Sequence, residues 1–196
     1  METLADHGNG NYAYIDSVGE AKKVLVEQMG ATLVTVAKDV KLQVEFNPAY
    51  IKGYRLLGYE NRALATEDFD DDTKDAGEIG AGHMGTALYE IVPVDSKQEI
   101  PETKLKYQES QTDTGVKNGE WLNLKIRYKE PEEEESILKE YPVKEEDYAK
   151  EPSEDFYFAA AVAEFGLILR DSAYKGEASF ENVRALLKKV DTDEDD

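Results

Sequence analysis

The sequence predicts an α+β fold: an antiparallel, β-sandwich-like body with two C-terminal helices, preceded by a helix-strand-helix segment typical of an α/β domain. Three observations lead to this prediction. Apolar and polar residues alternate from Val34 to Phe46, which indicates a strand with one buried face. Further alternating stretches recur up to residue 143. From Ser153 onwards, apolar residues recur at helical spacing instead.

The composition limits the classes of function. The chain has 196 residues, no cysteine and a net charge of −20, from 43 acidic and 23 basic residues. Such a surface repels nucleic-acid phosphates and anionic lipids, and the lack of cysteine excludes disulfides, thiolate catalysis and cysteine-bound metals. The longest apolar run, from Phe156 to Leu169, is interrupted by Glu164 and is shorter than the ~20 residues that a membrane span needs. We therefore predict a soluble chain without a nucleic-acid partner or a transmembrane segment.

The first thirty residues have an α/β pattern. Residues 1–10 are typical of a helix end followed by a glycine turn, and residues 11–15 (NYAYI) predict a short strand. Ser17 and Glu20 form a capping-box pattern, after which a helix should run to Gly30. One strand and two helices cannot bury their faces alone, so this segment is interpreted as the remnant of a larger α/β domain. The unpaired edges of its strand favour a strand-swapped dimer.

The body, residues 31–150, predicts four or five antiparallel strands. Asn47-Pro48 interrupts the first strand, because proline has no N–H to donate to a sheet. A second strand from Tyr50 to Tyr59 should complete a hairpin with the first. The remaining strands are expected where alternation returns, at residues 86–94, 119–128 and 136–143.

The C-terminal segment, residues 151–190, predicts two helices. Ser153 should cap the first, which is apolar nearly all round and should end near Arg170. Because a helix that is apolar all round has no face suited to water, we expect it to be buried. Ser179 should cap the second helix. The remaining residues, 191–196, form an acidic tail that we expect to be disordered.

Residues 67–82 form an acidic, glycine-punctuated stretch that we name the acidic loop. Carboxylates are ligands that calcium prefers, so a calcium loop is the alternative to a solvated loop. The EF-hand spacing fails, because counting from Asp70 the sixth position is Asp75, where glycine is required. The carboxylates of a different type of calcium loop would be those of Asp68, Asp70, Asp71, Asp72, Asp75 and Glu78.

Two further motifs have simple structural interpretations. The run from Gly80 to Gly85 reads GAGHMG and fits G-x-G-x-x-G. A dinucleotide site needs a strand before this motif and a helix after it, whereas here an acidic loop precedes it and a strand follows, so we predict a glycine turn. The two histidines, His7 and His83, do not have the spacing of a metal motif. His83 is predicted to be a turn or packing residue.

The sequence contains no catalytic motif: it has no G-x-S-x-G, no P-loop and no cysteine nucleophile. Its twelve tyrosines, among them Tyr50, Tyr54 and Tyr59, predict strand packing, and an exposed tyrosine strip is the alternative that would mark a protein-binding face. We therefore predict a non-enzymatic structural or protein-interaction module, with no catalytic or cofactor-binding residue and no cofactor in this chain. The alternative is a calcium-responsive regulatory module that uses the acidic loop.

Long stretches of the sequence resemble a bacterial family. Residues 4–28 resemble the last strand and helix of a von Willebrand factor type A domain. Residues 37–64 and 67–94 resemble the C-terminal domain that follows this module in bacterial proteins of the YfbK-like family, often labelled calcium-activated chloride channels. Residues 158–183 resemble the end of the same domain.

The resemblance implies a domain organisation and a setting. Residues 1–30 would be the C-terminal remnant of an A domain, and residues 31–196 would be the β-rich C-terminal domain. An A domain joined in cis would hold calcium or magnesium at a D-x-S-x-S loop, but this sequence contains no such loop, so no metal ligand is carried over. The resemblance also implies a protein partner and a location in the periplasm or cell envelope. The channel label finds no support in a sequence that lacks an apolar stretch long enough to form a pore.

Overall fold

The computed structural model describes residues 12–58, 64–100 and 115–191, apart from the side chains of residues 31 and 32. The chain divides into two compact units, each built from three separate segments. The first unit comprises Met1–Glu45, Leu64–Gly85 and Asn123–Pro142, and the second comprises Phe46–Ala63, Thr86–Leu122 and Val143–Asp196. The predicted domain boundary at residue 30 stays a prediction.

The first described element is the N-terminal helical segment, residues 18–33. It consists of helix α1 (Val18–Lys22), a π-helical turn (Lys23–Glu27) and helix α2 (Met29–Leu33). The Ser17 hydroxyl accepts the N–H of Glu20 at 3.1 Å, which confirms the predicted cap. The predicted end at Gly30 is wrong, because Gly30 lies inside α2 and its carbonyl accepts the N–H of Val34 at 3.1 Å.

The predicted NYAYI strand is absent over its described part, residues 12–15. A strand must give its N–H and C=O groups to a neighbour, and here the side chains of Tyr12 and Tyr14 lie exposed instead. The strand swap predicted from this strand therefore loses its basis. The helix end and glycine turn predicted over residues 1–10, and with them His7, lie outside the described residues.

The described residues form six strands in two antiparallel sheets. The strands are β1 (Thr35–Phe46), β2 (Ile51–Leu57), β3 (Gly77–Gly80), β4 (Leu88–Pro93), β5 (Glu120–Lys129) and β6 (Ile137–Lys144). One sheet has the order β3-β1-β5-β6, and the other consists of β2 and β4. Together with the C-terminal helices, this confirms the predicted α+β fold with a β-rich body. Strand β3 was not predicted, because it lies within the acidic loop.

The predicted hairpin of β1 and β2 is wrong, since β2 pairs with β4. Asn47 explains the difference. Its side-chain amide donates to the carbonyls of Val116 and Glu120 at 2.7 and 2.8 Å, and its backbone N–H donates to the carbonyl of Trp121 at 2.9 Å. The chain that leaves β1 is thus tied to the start of β5, so β2 takes a different neighbour. Tyr59, at the predicted end of the second strand, lies outside the described residues.

Strand β1 does not bury the face that its sequence predicts. Val36 and Leu42, from the predicted apolar face, are exposed, whereas Lys41 is 3% exposed. Asp39 has a φ of 50°, in the left-handed region, and the register of β1 against β3 shifts at this point. A second register shift lies between Thr35 and Ala37, and irregularities of this kind disturb the alternation along a strand. A period-two pattern therefore identified the strand and misassigned its faces.

Helices α3 (Glu154–Leu169) and α4 (Phe180–Leu187) confirm the two predicted C-terminal helices. The hydroxyls of Ser153 and Ser179 cap them, each accepting an N–H at 3.2 Å. Helix α3 contacts both α4 and β4. The buried apolar residues of the second unit are Phe46, Ile51, Val92, Ala161 and Val183.

Among the described helices, none has the length and apolar character that a membrane crossing requires. Apart from Asp191, the predicted acidic tail lies outside the described residues.

Candidate functional site: the acidic loop

The acidic loop is anchored by Phe69. A 3-10 turn (Thr66–Asp68) stands at the start of the loop, and β3 lies near its end. Phe69 is 4% exposed, and the guanidinium carbon of Arg127 lies 5.6 Å from the centre of its ring. A cation at this distance is attracted by the face of an aromatic ring. The loop is therefore fixed to the rest of its unit by an apolar residue within its run of aspartates.

Three basic side chains hold the acidic loop: Lys41 from β1, and Arg127 and Lys129 from β5. We name them the basic clasp. The buried ammonium group of Lys41 donates to the backbone carbonyls of Asp68, at 3.2 Å, and Asp71. Burying an ammonium group is costly unless its protons find acceptors. Because the loop backbone supplies these acceptors, Lys41 acts as an internal cation of the loop.

Lys129 and Asp39 form the second contact of the clasp. The Lys129 ammonium lies 2.8 Å from the Asp39 carboxylate and donates to the carbonyl of Asp72 at 2.9 Å. Asp39 also accepts the N–H of Ala76 at 3.2 Å. Burial alone would raise the pKa of Asp39, but the hydrogen bonds from Lys129 and Ala76, together with the charges of both clasp lysines, hold this pKa below its ordinary value. The hydrogen bond to Asp39 in turn raises the pKa of Lys129.

Arg127 contacts carboxylates of the loop. Its guanidinium group lies 2.7 Å from a carboxylate oxygen of Asp70 and 3.6 Å from one of Asp72, and it also donates to the hydroxyl of Ser136 at 2.8 Å. The Ser136 hydroxyl donates to Asp72 at 2.7 Å, and this hydrogen bond lowers the pKa of Asp72. A serine and an arginine thus share one aspartate of the loop.

The carboxylates of the calcium alternative do not converge on one point. Two of the six contact Arg127, as described above. Asp68 lies 3.3 Å from the ammonium of Lys74, Asp71 is hydrogen-bonded within the loop, and Asp75 and Glu78 are exposed. In the part of the chain that the structure describes, no group of three or more such side chains is placed to hold a metal ion. Part of the loop's charge is instead paired with basic side chains, Lys74 within the loop and Arg127 from β5.

Three carboxylates of the loop and its clasp, Asp39, Asp71 and Asp72, have pKa values shifted away from neutrality. A general acid or base that works near neutral pH needs a pKa close to 7. Hydrogen bonds move the pKa values of Asp39, Asp71 and Asp72 downwards instead. These groups stay ionised at neutral pH and act as fixed charges.

The GAGHMG motif forms a turn, as predicted. Strand β3 ends at Gly80, and Gly82 takes a φ of 80°, which favours glycine. The N–H of His83 donates to the carbonyl of Gly80 at 3.0 Å, and the residue is exposed. The next described element is β4 rather than a helix, so the geometry of a dinucleotide site is missing.

The basic clasp was not predicted from the sequence, although a signal exists. Strand β5 carries cations at every second position, Lys125, Arg127 and Lys129, which places them on one face of the strand. A row of cations on a strand in a chain with an acidic loop indicates an ionic contact between the two. Lys41 gave no comparable signal, because its position in the alternation suggested a solvent-facing residue.

The second unit contains an open cleft of about 630 Å³. The cleft is lined by Tyr50, Gly119, Trp121, Lys144, Glu145 and Glu146. The Tyr50 hydroxyl accepts the N–H of Gly119 at 2.9 Å, which ties this partly buried tyrosine to the residues before β5. Tyr54 stacks on Phe46 with 4.2 Å between ring centres, as strand packing predicts, but it is 59% exposed. An open cleft of this kind does not enclose a small molecule as ligand pockets do.

Two helical surfaces expose large apolar side chains. In the N-terminal helical segment they belong to Val18, Leu25, Val26, Met29 and Leu33. On α3 they belong to Phe156, Phe158, Val162, Phe165 and Leu169, so the predicted burial of this helix is only partly met. Contiguous apolar surface on a protein marks interaction sites. Both surfaces are therefore candidates for contacts with another protein or domain.

Comparison with known proteins identifies the family to which the chain is similar. Residues 31–196 match the model of a family described as "Uncharacterized protein YfbK, C-terminal". The "Uncharacterized protein YfbK" of Escherichia coli (strain K12) is 46% identical over 185 residues, which are 94% of this chain and 32% of that relative. This match is longer than the family segment, so it includes part of residues 1–30. No solved structure matches the chain significantly.

Proposed function

Because the chain belongs to the family of the YfbK C-terminal domain, we propose that it is a non-enzymatic structural and protein-interaction module. In this proposal it is attached to a metal-dependent von Willebrand A binding domain of a bacterial envelope protein. The chain spans only 32% of the E. coli relative, so there is room for such a domain in a protein of that length.

The observation that carries the proposal is the apolar surface of the N-terminal helical segment. Five large apolar side chains of this short segment are exposed, as named above. Covering such a surface contributes about 25 cal/mol for each Å² removed from water. A partner that covers this segment therefore gains a substantial stabilisation, and a domain joined in cis is present at high effective concentration.

The resemblance of residues 4–28 to the last strand and helix of an A domain supports the choice of partner. In such a domain this helix would lie on a parallel sheet, whose strands are buried on both faces. The apolar side chains of the segment would then face that sheet. The metal of the A domain would be bound by residues outside this chain, since its D-x-S-x-S loop is not in the sequence.

The chemistry of the described residues supports a non-enzymatic role. The loop aspartates with shifted pKa values are shifted away from neutrality, and the cleft of the second unit is open. The calcium-responsive alternative receives less support, because the basic clasp already occupies the carbonyls and two of the carboxylates on which it depends.

Hydrogen exchange tests the proposal. We compare the 196-residue chain with the full-length E. coli relative. Amides of the N-terminal helical segment should exchange quickly in the chain alone, and the aligned amides should be protected in the relative, because another domain covers them. Amides of β5 serve as the control and should be protected in both proteins.

Fast exchange of the aligned segment in the full-length relative would contradict the proposed contact. The non-enzymatic part is tested separately, with phosphate, acyl and glycoside esters as substrates. A turnover that is lost when a described residue of this chain is substituted would overturn it.

A further inference from the structure

Helix α3 carries an apolar surface that the proposed function does not use. Between Phe156 and Leu169 the only charged residue is Glu164. Its carboxylate accepts the N–H of Ser179 at 3.0 Å, so it is bonded to the N-terminal cap of α4. The exposed side of α3 therefore carries no charge over this length. This is unusual in a chain with a net charge of −20.

Four exposed residues of this side form one stripe, which we name the α3 stripe. Its members are between 42% and 65% exposed, and they are Phe158, Val162, Phe165 and Leu169. The steps between them are four, three and four residues, which places them on one face of a helix with 3.6 residues per turn. The same spacing of apolar residues forms the seam of a coiled coil.

Gly166 lies beside the α3 stripe and has no packing role within the described residues. A Cβ atom added to it would meet no atom within 4 Å. Glycine in the middle of a helix is destabilising. Because this position has room for a side chain, no contact among the described residues requires glycine there. Val162 and Leu169 lie four residues before and three after Gly166, so its bare backbone adjoins the stripe. A second helix could approach closely at this point.

We propose that the α3 stripe binds the α3 stripe of a second copy of this chain, with the two helices antiparallel. The order of spacings is the same from either end, so a two-fold axis between Ala163 and Glu164 makes the stripe complementary to itself. Phe158 then meets Leu169 of the second copy, and Val162 meets Phe165 of the second copy. Two-fold contacts of this kind require a self-complementary surface.

The exposed area fits a weak dimer. Phe180 extends the stripe, since its ring lies 6.1 Å from that of Phe165 and is also half exposed. With about 100 Å² for each of the five side chains, half of a typical buried aromatic residue, the contact removes about 1,000 Å² from water in total. This value is at the lower limit for a specific interface. The Kd is therefore expected in the micromolar range.

Salt distinguishes this contact from an ionic one. Two copies with a charge of −20 repel each other, and salt shortens the range of this repulsion, to about 10 Å at 0.1 M. Association through the apolar α3 stripe should therefore strengthen as sodium chloride is raised. Association through ion pairs would weaken.

The first experiment is sedimentation equilibrium on the 196-residue chain, at roughly 5 to 500 μM to bracket a micromolar Kd. We expect a monomer–dimer equilibrium that Leu169→Glu weakens at least tenfold. Met84→Glu is the control, because it adds the same charge at an almost fully exposed residue outside α3 and should leave the Kd unchanged. Gly166→Ala should raise the Tm of the dilute chain and still weaken the dimer, so that the loss of association is not a loss of folding.

The second experiment tests the antiparallel register. Because the chain has no cysteine, Phe158→Cys and Leu169→Cys introduce single thiols without background. Mixing the two variants should give a disulfide-linked dimer. Leu169→Cys alone should not, because the two 169 positions lie about 16 Å apart along the helix axis. A chain that stays monomeric throughout, or cross-linking of Leu169→Cys alone, overturns the proposal.

Discussion

In the first unit the least exposed side chains include two lysines, Lys41 at 3% and Lys129 at 7%, whereas the buried residues of the second unit are apolar. The lysines are buried because a loop of carbonyls and carboxylates surrounds their ammonium groups. The comparison shows that a strongly acidic chain can order a loop around its own cations as well as around apolar residues. The apolar core of the second unit and the basic clasp of the first are destabilised by different changes. A cavity destabilises the core, whereas a changed charge or a lost hydrogen-bond partner destabilises the clasp.

The largest effect is expected in the apolar core of the second unit. Phe46→Ala should lower the free energy of unfolding by about 3–5 kcal/mol, because it leaves a cavity and removes the ring contacts with Tyr54 at 4.2 Å and Tyr89 at 5.4 Å. Urea denaturation measures the change. Tyr14→Ala, at an exposed residue, should change it by less than about 0.5 kcal/mol. A similar small change for Phe46→Ala would show that this residue is not part of a core.

In the basic clasp, Lys41→Met should lower the free energy of unfolding by about 2–3 kcal/mol, because the partly buried carbonyls of Asp68 and Asp71 lose their donor. The control is Lys74→Met, which removes an exposed ion pair to Asp68 and should cost at most about 1 kcal/mol. Urea denaturation of both variants measures the difference. If Lys41→Met were neutral or stabilising, apolar contacts could replace the clasp, and the contrast between the two units would disappear.

A change of pH should weaken the first unit in acid. Hydrogen bonds hold the pKa values of Asp39, Asp71 and Asp72 below the ordinary value of about 3.9. The contribution of these ionised groups to the stability of the first unit is therefore complete above that value. It is lost as the pH falls through the lowered pKa values. The pKa of Lys129 is raised, not lowered. Its contribution to the stability of the first unit is therefore complete in acid and is lost only as the pH rises through the raised pKa. Hydrogen exchange of β1 amides from neutral to acid pH measures the effect.

Asp39→Asn should remove part of this acid sensitivity, whereas Glu133→Gln, at an exposed turn residue, should not change it. Protection of β1 that is unchanged throughout the acid range would contradict the role assigned to the clasp.

The smallest effect is expected from calcium. We expect the Tm of the chain to change by less than about 1 °C with millimolar calcium, compared with sodium chloride at matched ionic strength, because a ligand without a site does not shift unfolding. A calcium-specific rise of several degrees would restore the calcium alternative. It would then have to disappear when Asp70, Asp71 and Asp72 are all replaced by Asn.

Most elements could be predicted from the sequence, because their signals are local. The alternation from Val34 to Phe46 located β1, and the serines at 153 and 179 located the starts of α3 and α4. What failed depends on contacts between distant residues. The pairing of β2 follows from the hydrogen bonds of Asn47 to residues about seventy positions away, which no local pattern contains.

The acidic loop shows the same limit at the candidate site. Its aspartates are obvious in the sequence, but their partners come from β1 and β5. Asp39, two residues before the buried Lys41, has a left-handed backbone, and no periodicity indicates such an irregularity. Composition predicted the charges correctly and gave no information on how they are neutralised.

The interleaved segments of the two units constrain how this protein can be synthesised and dissected. Asn47 can donate to the carbonyl of Glu120 only after 73 more residues have been synthesised. The first unit is complete only when the segment that ends at Pro142 has been synthesised. A nascent chain can pair β1 with β3 early, but the edge of β1 that faces β5 stays unpaired for a long stretch of translation, and late contacts of this kind slow folding. Cutting the chain in any loop between residues 46 and 142 separates parts of the same unit. Neither unit can be obtained as one contiguous fragment.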